Sequence, residues 1–452
     1  MAIKPKIQTL TNSSIDILNA IRNSATTNYQ NYVPIATNDT DSLKAIGAVI
    51  MDNPSLQNEF LNALVNRIGR VIITSRSYSN PWAFMKKGFL EFGETIEEIF
   101  VDISKVKEFN PETAENKVWK REIPNVRSAF HIMNYQKVYP VTIQDDMLRQ
   151  AFLSWSGITD LIAKIVEAMY TASEYDEYQT MKYMLARRIL DGMMYPVEIS
   201  PVTTDNMKSI VSTVKSISND FEFLSTAYNI AGVYNKSPKD KQYIIITTDF
   251  DAQMDVEVLA SAFNMDKASF IGRRVLIDGF GKVDSKRLGE LFQDDPTYKP
   301  LTSDEIAALE SIPLCVVDED FFMIFDNLVK FTEIYNSMGL YWNYFYHTWK
   351  TFGISPFANN AVFIPNTPTV TSVTVSPATL TASKGQTVSV QAVVATTNFA
   401  PQTVVWSSSS DAVTVNASGL ITIGENASGT VTITATSTYD STKSGTCKIT
   451  IS

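Results

Sequence analysis

A run without proline or glycine from Ile158 to Asp191 limits what this chain can fold into. Ile158, Leu161, Ile162, Ile165, Met169 and Ala172 recur at three- and four-residue intervals, the spacing of one helix face. The stripe continues less cleanly through Tyr175, Tyr178, Met181, Leu185 and Ile189. Ser156 suits an N-cap and Asp160 the positive end of the helix dipole. Arg187 and Arg188 suit the other end, and Gly192 is a natural stop. At ~1.5 Å per residue the predicted helix, Ser156 to Gly192, is roughly 50 Å long, too long to bury in one compact core. It reads as a strut across an extended subunit, which points to an assembly protein rather than an enzyme.

The stretch from Met1 to Asn53 is polar, with one helical piece over I-D-I-L-N-A-I-R-N-S. It reads as an arm packing on something else. Leu56, Phe60, Leu64 and Ile68 predict a second helix ending at Gly69, and Arg70–Ser77 reads as a strand. Between Asn80 and Pro140, the alternating runs T-I-E-E-I-F-V-D-I and N-V-R-S-A-F-H-I-M-N-Y flank a charged middle. That pattern predicts two half-exposed strands in a long excursion, which alone is marginal and needs a surface to lie on. Lys86, Lys87, Glu97, Glu98, Lys120, Arg121, Glu122 and Arg127 are its candidate inter-subunit contacts.

Beyond the long helix, Met207–Leu224 is amphipathic, and Gln242–Phe331 alternates strand and helix patterns as an α/β domain does. From Gly339 the chain is intensely aromatic and predicts a long strand, and Pro365 and Pro368 then mark a linker. Thr367–Ser452 is dominated by Thr, Ser, Val and Ala, with six or seven short alternating runs, the pattern of a β-sandwich with Trp406 in its core. Lys384, Lys443 and Lys448 balance Asp411, Glu425 and Asp440 there, so the net charge of -10 belongs to residues 1–366.

That acidity argues against general binding to nucleic acid, which needs a basic face. Charged residues make up only 19% of the chain, which fits a subunit that hides much of its surface against neighbours and equally a β-rich domain full of Ser and Thr. No signal peptide and no apolar run of membrane-spanning length is visible. Cys315 and Cys447 read as two free buried thiols in preference to a disulfide.

Candidate chemistry is sparse. His131 and His347 are the only histidines, neither with a ligand at metal spacing, and both read as structural. Asp249, Asp251 and Asp255 could hold a divalent cation but lack the glycine and terminal glutamate of a calcium loop. They read as an acidic helix start, as do Asp145 and Asp146. Gly279 and Gly281 lack the third glycine of a dinucleotide fingerprint. No catalytic, cofactor or metal set emerges.

Several stretches together carry a resemblance: D-I-L-N-A-I-R-N-S (16–24), N-Y-V-P-I-A-T (31–37), R-E-I-P-N-V-R-S-A-F-H (121–131), T-I-Q-D-D-M-L-R-Q-A-F (142–152), D-V-E-V-L-A-S-A-F-N-M (255–265) and G-L-Y-W-N-Y-F-Y-H-T-W (339–349). K-K-G, T-I-E-E-I (both within 86–99) and V-L-I-D-G-F (275–280) fall between them. In order, they resemble the major head protein of phi-29-like podoviruses, small tailed bacteriophages. V-T-V-S-P-A-T-L, V-V-W-S-S-S-S-D-A-V-T-V and A-S-G-L-I-T resemble a group-two bacterial immunoglobulin-like domain.

The resemblance implies an α+β chain with the Hong Kong 97-type capsid fold plus a C-terminal all-β Ig-like sandwich. It implies an N-terminal arm (1–53), the first part of a peripheral domain (54–79), an extended loop (80–140) and the peripheral domain with its spine helix (141–241). An axial domain (242–335), return strands of the peripheral domain (336–364), a linker (365–368) and the Ig-like sandwich (369–452) follow. Gly289–Ile312 looks longer than that plan, suggesting an insertion. The implied function is an icosahedral virion shell of pentamers and hexamers enclosing double-stranded DNA without sequence-specific contacts. Implied partners are a scaffolding protein and a portal at one vertex, with assembly in the bacterial cytoplasm, no cofactor and no membrane. A cell-surface or secreted adhesion protein acting through the Ig-like domain is the alternative.

Overall fold

A computed structural model of the chain describes residues 14–37, 39–71, 78–90, 95–104, 106, 109, 111, 124–144, 157–255 and 273–452. Its first layer is helical: α1 (Ser14–Ser24), α2 (Thr27–Tyr32), α3 (Thr40–Asp52) and α4 (Pro54–Val71). Each apolar stripe is short, and side-chain caps turn the chain between them. Thr26 accepts from the Tyr29 amide, Asp39 accepts from the Asp41 amide, and Asn19 ties both backbone groups of Ala36. Ile17, Leu18, Ile21, Leu43, Ile46, Ile50 and Phe60 thereby pool into one core. The expectation of an arm with one helix is corrected for these residues, which form a folded layer on their own subunit. The second helix runs on through Gly69 to Val71, so Arg70 is helical, and 72–77 lie outside the described residues.

This layer covers a four-stranded sheet in the order β1 (Gly88–Phe89), β9 (Phe322–Asn336), β10 (Tyr341–Ile354), β4 (Tyr135–Gln144). The aromatic stretch is β10, and Trp342, Tyr344 and Tyr346 point into the helical core on alternate positions. β2 (Ile96–Val101) and β3 (Val126–His131) form a separate antiparallel hairpin.

A second sheet runs β5 (Tyr195–Glu198), β11 (Asn360–Ile364), β8 (Leu314–Asp318), β6 (Gln242–Thr247), β7 (Arg273–Ile277). Its central strands β11, β8 and β6 are buried on both faces and so read as continuous apolar runs, while β7 at the edge alternates and leaves Leu276 exposed. Ile244, Ile246, Leu314, Val316 and Phe363 face α6 (Met207–Asp220) and α7 (Thr248–Met254). Tyr243, Ile245, Cys315, Val317 and Val362 face the long helix α5 (Gly157–Leu190). Strand membership thus cuts across the implied boundaries: β9 pairs with β10 outside this sheet, whereas β5 and β11 lie inside it. The turn after Ile354 sends the chain from one sheet to the other.

α5 links the two cores. Met169 is buried in the first, and Met181, Leu185 and Ile189 are buried in the second. Leu161, Ile162 and Ile165 lie on this helix, and their side chains fall outside the described ones. The segment suspected as an insertion lies along α5. Between α8 (Ser285–Leu291) and α9 (Ser303–Glu310), Phe292 and Tyr298 gather around Tyr183, and Arg187 pairs with Glu305 at 2.9 Å. A reciprocal capping box between Thr302 and Glu305 starts α9.

The C-terminal module is all-β. A four-stranded sheet (Thr379–Ala382, Ser444–Ile451, Gly429–Ser437, Val404–Ser408) meets a three-stranded sheet (Thr387–Ser389, Leu420–Ile423, Val413–Val415) and the pair Thr369–Ser376 with Gln391–Thr397. Several strands have only three or four residues, which is why the sequence suggested fewer. Val373, Ile421, Ile433, Ala435, Cys447 and Ile449 form the core, and Trp406 is half-buried at its margin instead of inside it. Both cysteines are free and buried.

Candidate assembly surfaces

The middle of α5 carries a buried polar belt. The Glu177 side chain is wholly enclosed, where it meets Lys350 Nζ from β10 and Lys86 Nζ at 3.0 Å. Lys86 also reaches Asp326 of β9 at 2.6 Å, and Asn80 Nδ2 donates to Glu177 at 2.6 Å. Burial by itself raises the Glu177 carboxyl, but the Lys350 and Lys86 ammonium groups outweigh it and hold the group below the ordinary glutamate value. Next to it, Asp176 takes Arg287 Nε and Nη2 bidentately, both at 2.8 Å, and accepts from Tyr139 at 2.9 Å. Lys182, also enclosed, reaches Asp278 at 2.5 Å.

Lys86, expected at a neighbour, is thus consumed inside its own subunit. Lys87 likewise binds Asp320 and the Glu319 carbonyl. The belt went unnoticed in the sequence, although it left a trace: Asp176, Glu177 and Lys182 are what make the second half of the apolar stripe ragged.

The hairpin has two unlike faces. On one, Phe100 stacks on Phe357 with centroids 5.6 Å apart, and Glu98 binds Ser355 at 2.5 Å and His131 at 3.0 Å. Arg127 donates to the Ala231 carbonyl. Glu98 and Arg127 therefore tie the hairpin to its own subunit. The other face pairs Glu97 with Phe130, Ile99 with Ser128 and Val101 with Val126. There Ile99, Val101, Val126 and Phe130 are 58%, 59%, 52% and 63% exposed, an apolar face of the kind that marks an interaction site. Glu97 is exposed among them. Lys120, Arg121 and Glu122 lie outside the described residues.

The remaining candidates have ordinary partners. His347 meets Thr332 at 3.0 Å, and Arg274 spans Asp251 and Asp255 at 2.7 and 3.2 Å; Asp249 and Asp251 lie in the first turn of α7 as expected, whereas Asp255 caps its other end. Among the described residues no group of three His, Cys, Asp or Glu side chains is placed to hold a metal. Asp145 and Asp146 lie outside the described residues.

Residues 18–364 match the family model of the Phi29-like phage major capsid protein, and residues 369–448 match that of the bacterial Ig-like domain (group 2). The chain belongs to the Phi29-like major capsid protein family. It is 38% identical to the major capsid protein of Bacillus phage B103, covering 94% of this chain and 90% of that one. Against the major capsid protein of Bacillus phage PZA the identity is 36%, with the same coverage. A chain in the capsid structure of Staphylococcus phage Andhra shares the fold at a TM-score of 0.51 and 13% identity, over 65% of this chain and 86% of that one.

In this member of the capsid family the Ig-like module is seated on the subunit body. Gly192, just past α5, has φ +62, and a side-chain carbon there would come within 2.6 Å of the Ala400 carbonyl oxygen. Asn398 and Phe399 also adopt positive φ, 51 and 60, turning the Phe399 ring onto the core beneath α5. Asn398 Nδ2 donates to the Thr367 carbonyl at 2.8 Å, and Thr367 Oγ1 donates to Glu198 at 2.6 Å. Within the linker read from Pro365 and Pro368, Thr367 is thus tied to the body on one side and to the module on the other.

Proposed function

We propose that many copies of this chain close into the icosahedral head of a small tailed bacteriophage. The family match over residues 18–364 carries this reading, and the exposed apolar face of the hairpin supplies a contact for it. Each contact is modest, but repetition around a closed shell makes the whole resistant to loss of any one. The hairpin face around Glu97, Ile99, Val101, Val126 and Phe130 lies against a neighbouring subunit. The hairpin of β2 and β3 is the extended loop, since Asn80, Lys86, β1 and β4 belong to the body, and 242–335 supplies most of the axial domain at the centres of pentamers and hexamers.

A scaffolding protein guides closure in the bacterial cytoplasm, and a portal occupies one vertex. The acidic residues 1–366 enclose double-stranded DNA without gripping its sequence, because a negatively charged wall releases no counterions from DNA. The Ig-like module faces outward. Among the described residues no helix is long and apolar enough to cross a membrane. The adhesion reading is not favoured, because the capsid family covers most of the chain.

Electron microscopy and sedimentation of the chain co-expressed with its scaffolding protein test this. Closed shells of uniform size are expected; monomers or small oligomers under all conditions overturn it.

A further inference from the structure

The inner face of the β2–β3 hairpin meets its own subunit along one short stretch of chain, and the contacts follow that stretch in order. Asn134, at the hairpin's root, exchanges two hydrogen bonds with the Phe352 backbone, both at 2.9 Å. One step further out, the His131 ring packs against Gly353, where an added side-chain carbon would overlap Nδ1. Next, Glu98 accepts from Ser355 at 2.5 Å while meeting His131 at 3.0 Å. Furthest out, Phe100 stacks on Phe357, and Arg127, paired with Phe100 across the strands, donates to the Ala231 carbonyl. The hairpin thus lies along Phe352–Phe357 as on a bracket.

The bracket is itself held on all sides. It is the stretch by which the chain leaves the first sheet for the second, and Ser355 and Phe357 are only 1% and 5% exposed. The Ser355 amide donates to the Phe321 carbonyl at 3.0 Å, and the Ala231 amide to the Pro356 carbonyl at 3.1 Å. Asn235 Nδ2 donates to the Phe357 carbonyl at 2.8 Å. A two-stranded hairpin is marginal alone and takes its direction from what it lies on. Its strands have six residues each, a lever of about 20 Å, so a tilt of about 10° at the root moves the far end by about 3 Å. A close-packed contact does not absorb such a shift. Whether repeated copies close, and with what curvature, depends on the rotation that each contact imposes.

We propose that Phe352–Phe357 aims the hairpin and thereby sets the curvature of the shell, with Gly353, Ser355 and Phe357 as positioning residues. This rests on the shell reading and adds to it the residues that fix the angle between neighbouring copies.

Two measurements on the full-length chain test it. In the unassembled subunit, Glu98→Ala and Phe100→Ala each remove a hairpin contact and leave the bracket whole. Amide hydrogen exchange over 96–101 and 126–131 should then quicken about tenfold, the worth of one such contact, with exchange in α5 unchanged. Gly353→Ala is a wedge that pushes on His131. With native circular dichroism, its particles, co-expressed with the scaffolding protein, should differ from the parent's in diameter or uniformity by electron microscopy. A hairpin that needs only to be attached would lose yield at unchanged diameter, and that result overturns the proposal. Parental exchange rates in both Glu98→Ala and Phe100→Ala overturn it too, as do Gly353→Ala shells identical to the parent's. If Gly353→Ala does not fold, the diameter of Glu98→Ala shells decides in its place. A parent that builds no shells sinks the shell reading and the curvature with it, whereas parental exchange beside normal parent shells sinks the bracket alone.

Discussion

The middle of α5 and the core of the Ig-like module solve the burial problem in opposite ways. The helix buries Asp176, Glu177 and Lys182 and satisfies each from a different part of the chain: Arg287, Lys350 and Lys86, and Asp278. The module's core is built mostly of small and branched apolar groups such as Val431, Ile433 and Ile449, and no charged side chain is buried in it. An apolar core tolerates many arrangements of similar volume. A buried ion pair accepts only the one that brings its partners together, and removing one partner leaves a charge stranded. The body is therefore specified by polar matching between distant segments, and the module by local strand alternation.

The largest expected effect comes from stranding a charge. Lys350→Ala should cost about 3–5 kcal/mol in denaturant unfolding of the unassembled subunit. Replacing Glu177 and Lys350 together by Leu and Met should cost much less; equal losses for the single and double changes would show that the pair is not what matters. The same pair sets an acid limit. Because the folded Glu177 carboxyl lies below its ordinary value of 4.5, its contribution is full above that value and disappears as pH falls through the folded one. Thermal melts of the parent should therefore fall in acid more steeply than those of Lys350→Ala.

Next comes Ile433→Ala, at about 2–4 kcal/mol, which should loosen the module while leaving the body's protease resistance intact. If both are lost together, the two regions are not separable units. A smaller change, about 1–2 kcal/mol, is expected for the half-buried Phe399→Ala. Its signature is a single calorimetric transition dividing into two. The smallest stability effect belongs to Phe130→Ser on the outer hairpin face, within about 0.5 kcal/mol for the free subunit. Its shell yield by sedimentation should nonetheless drop sharply, and unchanged yield would remove the hairpin face from the interface.

Elements with their own periodicity were legible in the sequence. The long helix, the aromatic strand β10, the alternating hairpin and the sandwich all follow from spacing within one segment. What escaped needs two segments at once. The short stripes of α1 and α3 make a core only after Thr26 and Asp39 turn the chain, so residues 14–52 looked like an arm. Lys86 looked like a surface charge because its partners are 91 and 240 residues away in sequence, at Glu177 and Asp326. Trp406 was assigned to the core by residue type, yet its strand places it at the margin. The seat of the module rests on three backbone conformations, at Gly192, Asn398 and Phe399, and only the glycine announces one of them.

The polar belt on α5 also has a mechanical meaning. A helix gripped only at its ends slides in its groove like a rod in a sleeve, since apolar contacts resist separation better than shear. Glu177 and Asp176 act as keys cut across that groove, each locked to a different strand or helix. Any sliding of one sheet past the other along the rod would have to break these ion pairs.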